Sequence, residues 1–310
     1  MTFNGVLDIE WTDEQIRAYE EDGILIVNKL IEPDFADTLR ERYAPIFAGK
    51  FETGTTPDHF PTKFAEGDDT PATRWMANPW RADHTLANFA LHAGIGKQVA
   101  TLSGWSGARL LQNNIHWKPP GAPELSMHQD SSYHQWCVPS DLCTCWVALT
   151  DTTADGGTLR FVRGSHKWPR LDMAEYRERI DALQQDFKRF LDPDDFDTFV
   201  TVSAEFAGEK PEIVEVEVPK GGGSFHHGWV WHGSDKNRSG RHRQSISNHC
   251  IRPETQFHPT EPANAWGRYR RFGTTEMDEA HFPILWRSDG YRTPGLDDYM
   301  RAGSGAALAA

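Results

Sequence analysis

The chain has little of what a disulfide scaffold, a membrane span or a polyanion-binding surface requires. Among 310 residues there are four cysteines, Cys137, Cys143, Cys145 and Cys250, too few and too unevenly placed for a disulfide framework. Cys143 and Cys145 stand two apart in an apolar run, so on a strand both face one side. The expectation is a pair of buried small hydrophobic residues, since a thiolate metal site needs more cysteines at ligand spacing. Aliphatic runs are short: Ile24-Leu25-Ile26-Val27 is far below the roughly 18–20 residues of a bilayer span. The start, Met1-Thr2-Phe3-Asn4-Gly5, has no basic stretch leading into an apolar core, so no secretion signal is expected and a cytoplasmic location is. Positive charge is in deficit as well. The 32 Lys and Arg against 45 Asp and Glu leave a net charge of −13, which argues against a nucleic-acid partner because phosphate binding needs a basic surface.

What is present reads as one globular domain of 310 residues, without internal repeats or a separating linker. Thr12-Asp13-Glu14-Gln15 is a capping box, and the helix it opens should stop at Gly23, ahead of a short buried strand at Ile24-Leu25-Ile26-Val27. Glu32-Pro33-Asp34 starts a second helix carrying Phe35, Leu39, Tyr43 and Ile46 at helical spacing. Residues 51–82, polar and rich in Pro and Asp, read as a loop with Arg74, Trp75 and Met76 embedded in it. A third helix is predicted over 84–102. Beyond residue 110 the period changes: 111–117, 142–150, 157–163, 213–218, 223–231 and 244–252 are short runs bounded by Gly, Pro, Asp and Asn. That spacing predicts a β-sandwich or barrel. A helical insertion at 170–205, strongly charged over 173–191, interrupts it, and the tail after Gly295 reads as low-complexity and frayed. The organisation is a helical part (1–105), a β core (106–255) and a C-terminal extension (256–310), mainly β with flanking helices.

Three features on the β half carry chemistry. His128-Gln129-Asp130 places an imidazole and a carboxylate two apart, so on extended chain both project to one side and can meet one cation. His232, in Trp231-His232-Gly233-Ser234, supplies a distal imidazole. Two His and one carboxylate occupy one face of an octahedral metal and leave three positions open, which suits non-haem Fe(II) that must also bind a bidentate co-substrate and O2. Arg243, eleven residues later, carries the guanidinium best shaped to grip a carboxylate.

Lys118-Pro119-Pro120, Met127-His128-Gln129-Asp130, Trp146, Gly156-Gly157-Thr158-Leu159, Arg163-Gly164-Ser165-His166-Lys167, His232-Gly233-Ser234, Asn237-Arg238-Ser239 and Arg243 appear in an order and spacing that resembles the phytanoyl-CoA dioxygenase family of Fe(II)/2-oxoglutarate oxygenases, across residues 13–255. The resemblance implies a double-stranded β-helix (a jelly-roll, cupin-like core) with His128, Asp130 and His232 as iron ligands. It further implies Arg243, helped by Ser245, on the distal carboxylate of 2-oxoglutarate, with Lys118, Gln129 and Trp146 around the co-substrate. Lys118 as a solvated strand-end charge and Trp146 as plain core are the alternatives. The family pattern makes the later histidine the metal ligand, so His227 is read as a neighbour of the site and His232 as the ligand. His116, His134 and His249 read as hydrogen-bonded core or surface histidines, with a site-lining role as the alternative. Related halogenases carry a small residue where Asp130 stands. The implied reaction is therefore hydroxylation, or another oxidation starting at a C–H bond, with 2-oxoglutarate and O2 converted to succinate and CO2.

The substrate is the least legible part. Twelve tryptophans, several of them beside the motifs, fit an apolar or ring-bearing small molecule, although tryptophan also simply fills cores. Trp75, Arg163 and His227 are candidate substrate contacts, and Arg74, Lys167 and Arg252 are further cations for an anionic group. The net charge disfavours a polyanion such as CoA. The charged insertion reads as a lid or an oligomer contact. The rival enzyme is a cupin-like zinc hydrolase or isomerase on the same His/Asp/His set, and a non-catalytic ligand-binding jelly roll is a third reading. The zinc enzyme would leave Arg243 and Lys118 without a task, and the binding jelly roll would not need the H-x-D pair and a distal His together.

Overall fold

Thr12 opens the first helix as its spacing predicts. Its hydroxyl accepts the backbone N–H of Gln15 at 3.2 Å, while the Gln15 side chain accepts the N–H of Thr12 at 3.0 Å. The helix, α1 (Asp13–Asp22), ends at Gly23 with φ +72°, and β1 (Ile24–Val27) follows. In this computed structural model, residues 5–60, 68, 70–171 and 198–306 are described. The charged stretch at 173–191 lies outside them.

The predicted second helix is two, α2 (Pro33–Glu41) and α3 (Tyr43–Phe47), with Phe35, Leu39, Tyr43 and Ile46 all buried. Pro45 explains the break: it has no N–H, and its ring would strike the carbonyl of Glu41 in a continuous helix. The helix expected over 84–102 also divides, into α4 (His84–Ala90) and α5 (Ala93–Leu102). His92 is extended, and its Nδ1 caps the second helix by accepting from Gly94 N at 3.1 Å. Within the predicted loop, residues 74–77 form a strand, β2 (Arg74–Ala77), paired to the next one. Its polar surroundings hid it.

The remaining strands are β3 (Gly107–Lys118), β4 (Leu125–His128), β5 (Cys137–Val138), β6 (Cys143–Ala148), β7 (Leu159–Val162), β8 (Ile213–Glu215), β9 (Gly223–His227), β10 (His232–Ser234), β11 (Arg243–Ile251), β12 (Gln256–Phe257) and β13 (Ile284–Arg287). All pairings between these strands are antiparallel. The larger sheet runs β1-β9-β6-β11-β3-β13 with β2 also on β3, and the smaller runs β4-β10-β7-β8. The result is the jelly-roll core with flanking helices.

Alternation decides which face each residue serves. Cys143, Cys145, Val147, Phe225 and Ile246 point outward and pack with Tyr19, Leu39, Phe89 and Val99 from the helices. Each such side chain, fully buried, stabilises the fold by about 1.5–3 kcal/mol. Trp146, Ala148, Phe161, Val216 and Val230 fill the space between the sheets. All four cysteines are free and buried. Helix α6 (Thr198–Ala207), inside the predicted insertion, packs Val200 and Val202 against Met127, Val162 and Trp231. The tail is not frayed through residue 306: α7 (Leu296–Ala306) docks on the helical layer, and the Tyr299 hydroxyl donates to the Trp80 carbonyl at 3.1 Å. Among the described residues no helix is long and apolar enough to cross a membrane.

Candidate metal and co-substrate site

The two imidazoles meet because β10 pairs with β4 in a register that sets His232 opposite His128. Their ring centroids are 4.2 Å apart. Gly233 permits this pairing, since a Cβ there would sit 2.6 Å from the Leu125 carbonyl oxygen. Asp130 begins a 3-10 turn just past β4, but Gln129 is still extended, so the two-residue convergence holds. Asp130 Oδ1 lies 3.6 Å from His128 Nε2 and 3.5 Å from His232 Nε2. One ligand atom from each of the three falls within 4.8 Å of the others. The far nitrogens are committed: His128 Nδ1 lies 2.8 Å from the Ser126 carbonyl and His232 Nδ1 3.1 Å from that of Val230. A carbonyl only accepts, so each Nδ1 carries the proton and each Nε2 lone pair faces the shared point.

Asp130 is buried among histidines. Burial would push its carboxyl up, but His249, His232, His128 and His226 together outweigh that and hold it well below the usual carboxylate range. Its second oxygen, Oδ2, is met by Thr144 Oγ1 at 2.9 Å, His249 Nδ1 at 3.2 Å and His226 Nε2 at 3.3 Å.

Further along the same inner surface stand two buried cations. Lys118 and Arg243 are opposite each other on β3 and β11. Arg243 donates to Ser245 Oγ at 3.0 Å and to the Gly157 carbonyl at 3.2 Å, while its Nε has no partner. The Trp146 ring lies 5.9 Å from the guanidinium. Lys118 Nζ donates to Ser234 Oγ at 2.9 Å and to the Asp235 carbonyl. It is 1% exposed, so the solvated alternative does not hold. Burial, then the charge of Arg243, brings the Lys118 ammonium down to about 7, and burial brings Arg243 down to about 10. Among the described residues no carboxylate makes an ion pair with either cation. Asp235, whose main-chain carbonyl accepts from Lys118, has its carboxylate paired with Arg160 at 2.8 Å. His116 lies on β3 between Asn114 and Lys118, feels both Arg243 and Asp130, and has an unpartnered Nδ1.

A cleft of about 1000 Å³ reaches His128 and Gln129 from outside, lined in part by Tyr133, Trp168, Arg170, Trp229 and Trp231. The Arg170 guanidinium sits 3.8 Å from the Trp229 ring centroid. Gln129 donates to the Trp229 carbonyl at 2.6 Å and so joins the cleft wall. None of the three candidate substrate contacts lines this cleft. Trp75, opposite His116 on β3, packs on His59 with ring centroids 4.4 Å apart and planes tilted by 42°. Arg163 is held in ion pairs with Asp22 and Glu212. His227 packs against His166 and accepts the Trp229 N–H at 3.1 Å. Alternation is the reason for the last correction: on β9 the inward positions are Ser224 and His226, so His226, and not His227, reaches Asp130. His249 takes the site-lining alternative, its Nδ1 lying 3.2 Å from Asp130 Oδ2. Its even separation from Arg243 on one strand carried that signal, as did the even separation of Thr144 from Trp146.

A jelly roll that joins such a His/Asp/His cluster to buried cations in its interior is the architecture of Fe(II)/2-oxoglutarate-dependent oxygenases, and this chain is one of them. It matches the family model for phytanoyl-CoA dioxygenase (PhyH) over residues 19–245 and belongs to that family. A probable phytanoyl-CoA dioxygenase from Caenorhabditis elegans is 26% identical over 245 residues, covering 76% of this chain and 74% of its own. Dioxygenase ALT11 from Alternaria alternata is 30% identical over 171 residues, 51% of this chain, and the chain spans only 55% of that relative. The epimerase SnoN, solved with Fe3+, α-ketoglutarate and nogalamycin RO, superposes with a TM-score of 0.62 at 19% identity, covering 88% of this chain and 98% of that one. EctD from S. alaskensis, solved with 2-oxoglutarate and 5-hydroxyectoine, gives 0.57 at 17% identity, covering 87% and 89%. At such identities the likeness is one of fold.

Proposed function

We propose that this chain hydroxylates a small molecule at a C–H bond, with His128, Asp130 and His232 holding Fe(II) and Arg243, Ser245 and Lys118 holding the distal carboxylate of 2-oxoglutarate. The observation that carries the reading is Arg243: a buried guanidinium with an unsatisfied Nε and, among the described residues, no carboxylate partner, in the same barrel interior as the triad. A charge buried without a counter-ion is costly, so such a group fits a site completed by an anionic ligand. The donor set fits iron equally well: two Nε2 lone pairs and one carboxylate oxygen, with the remaining coordination face left to other ligands. When bound, iron with 2-oxoglutarate and O2 supplies the C–H oxidation, and succinate and CO2 are released. The chain's own part is to fix both imidazole tautomers, to hold the keto-acid by its far end against the Trp146 wall, and to shield the interior from water.

Asp130 occupies the position a halide would need, which supports hydroxylation over chlorination. The aromatic walls of the cleft, with Arg170 lying on Trp229, support a free small molecule with an apolar or ring-bearing body. The test is anaerobic titration with Fe(II) and 2-oxoglutarate. A visible charge-transfer band should appear in the wild type and be lost in His128→Ala and Asp130→Ala. No band, with zinc still bound, would favour a hydrolase or isomerase on the same three residues.

A further inference from the structure

Thr144, His226 and His249 are aligned in a single row across three neighbouring strands. Thr144 on β6 stands directly opposite His226 on β9 and directly opposite His249 on β11. All three side chains reach Asp130 Oδ2, at 2.9, 3.3 and 3.2 Å. We infer that this row seats one oxygen of Asp130, with Thr144 and His226 donating to it and His249 holding Thr144, and so positions the carboxylate to bind metal through Oδ1 alone.

The protons can be placed. Gln112 Nε2 donates to Asn114 Oδ1 at 2.7 Å, which orients that amide so that Asn114 Nδ2 donates to His249 Nε2 at 2.8 Å. His249 therefore carries its proton on Nδ1 and donates it to Thr144 Oγ1 at 2.9 Å, with Asp130 Oδ2 in electrostatic contact at 3.2 Å. The Thr144 hydroxyl, receiving from His249, gives its own hydrogen to Asp130 Oδ2. His226 is buried, its other nitrogen has no partner, and its Nε2–H completes the set. An unrestrained carboxylate can chelate through both oxygens and take an extra coordination position. With Oδ2 held by Thr144 and His226 and with His249 beside it, Oδ1 alone faces His128 and His232, and three positions stay open for a bidentate co-substrate and O2.

The inference rests on the proposed iron site, and the experiment separates the two. Anaerobic Fe(II) affinity and the Fe(II)/2-oxoglutarate band are measured for the wild type, Thr144→Val, Thr144→Ser, His226→Phe and His226→Gln. Thr144→Val is nearly isosteric and loses only the hydroxyl, and His226→Phe loses the N–H donor. Both should weaken Fe(II) binding roughly tenfold to a hundredfold and shift the band. Thr144→Ser and His226→Gln, which restore a donor, should recover most of the affinity. If Thr144→Val and His226→Phe lower only the thermal midpoint of the metal-free protein, and the folded variants bind Fe(II) with wild-type affinity and band position, the seat is merely structural and the inference is overturned. A wild type that binds no Fe(II) at all would instead overturn the iron reading and this inference with it.

Discussion

Lys118 and Arg243 show how much a single buried side chain can reveal. Neither is placed there for stability, because two like charges face each other away from water. For Lys118 the sign is definite. Its folded-state value, about 7, lies below the ordinary 10.5, so between those limits the unfolded chain binds a proton that the folded chain has lost. Stability of the ligand-free protein on this group's account therefore rises with pH from about 7 to 10.5. Subtracting a Lys118→Met melting series from that of the wild type should isolate this slope, and parallel curves would contradict it. For Arg243→Ala the expected result is a 2-oxoglutarate KM raised about tenfold to a hundredfold, the worth of a hydrogen-bonded charge, with Fe(II) affinity unchanged. Steady-state kinetics with a separate metal titration would check both parts. At this scale the three metal-ligand candidates were legible from spacing together with the family resemblance. The burial of Lys118 was not, because burial is a property of the folded chain.

At the scale of the element, parity along strands governs what each residue does. His226 and His227 are adjacent and chemically identical, yet one meets Asp130 and the other packs against His166, because successive side chains on β9 point to opposite faces. The same rule puts Cys143 and Cys145 outward and Thr144 inward. Turns are held as strictly. Gly157 has φ +67°, and a Cβ on it would lie 2.4 Å from the Asp235 carbonyl oxygen. Its own carbonyl accepts from Arg243. Gly157→Ala should therefore lower the melting temperature and raise the 2-oxoglutarate KM together, whereas a change in only one would show the turn and the anion seat to be independent. Helix breaks at Pro45 and His92 were written in the chain but outweighed by the apolar period around them. Strand β2 was hidden because its stability comes from pairing with β3, not from its own composition.

For the whole molecule, the helices cover the outer face of the larger sheet and leave the inner surface for chemistry. Phe225 joins the two layers, packing on Trp11 at 5.3 Å, so Phe225→Ala should cost about 3–5 kcal/mol in chemical denaturation. Because its neighbour His226 faces the opposite side, the folded fraction should still give the iron band. The cleft is the other feature of this scale. Trp229 and Arg170 wall it together, and Trp229→Ala should alter turnover among candidate substrates while 2-oxoglutarate affinity stays as it was. Equal loss across every substrate would place Trp229 outside the recognition surface.

By itself the chain's sequence determined the alternation of its strands, the caps of its first helix and the identities of three metal-binding candidates and one guanidinium, because these depend on residue type and short-range spacing. Only the tertiary structure decided which histidines surround Asp130, that Lys118 is dry, and that Trp75 and Arg163 do not line the cleft. Those outcomes rest on strand register and sheet packing, which bring together residues more than a hundred positions apart and are settled by the burial of the whole core.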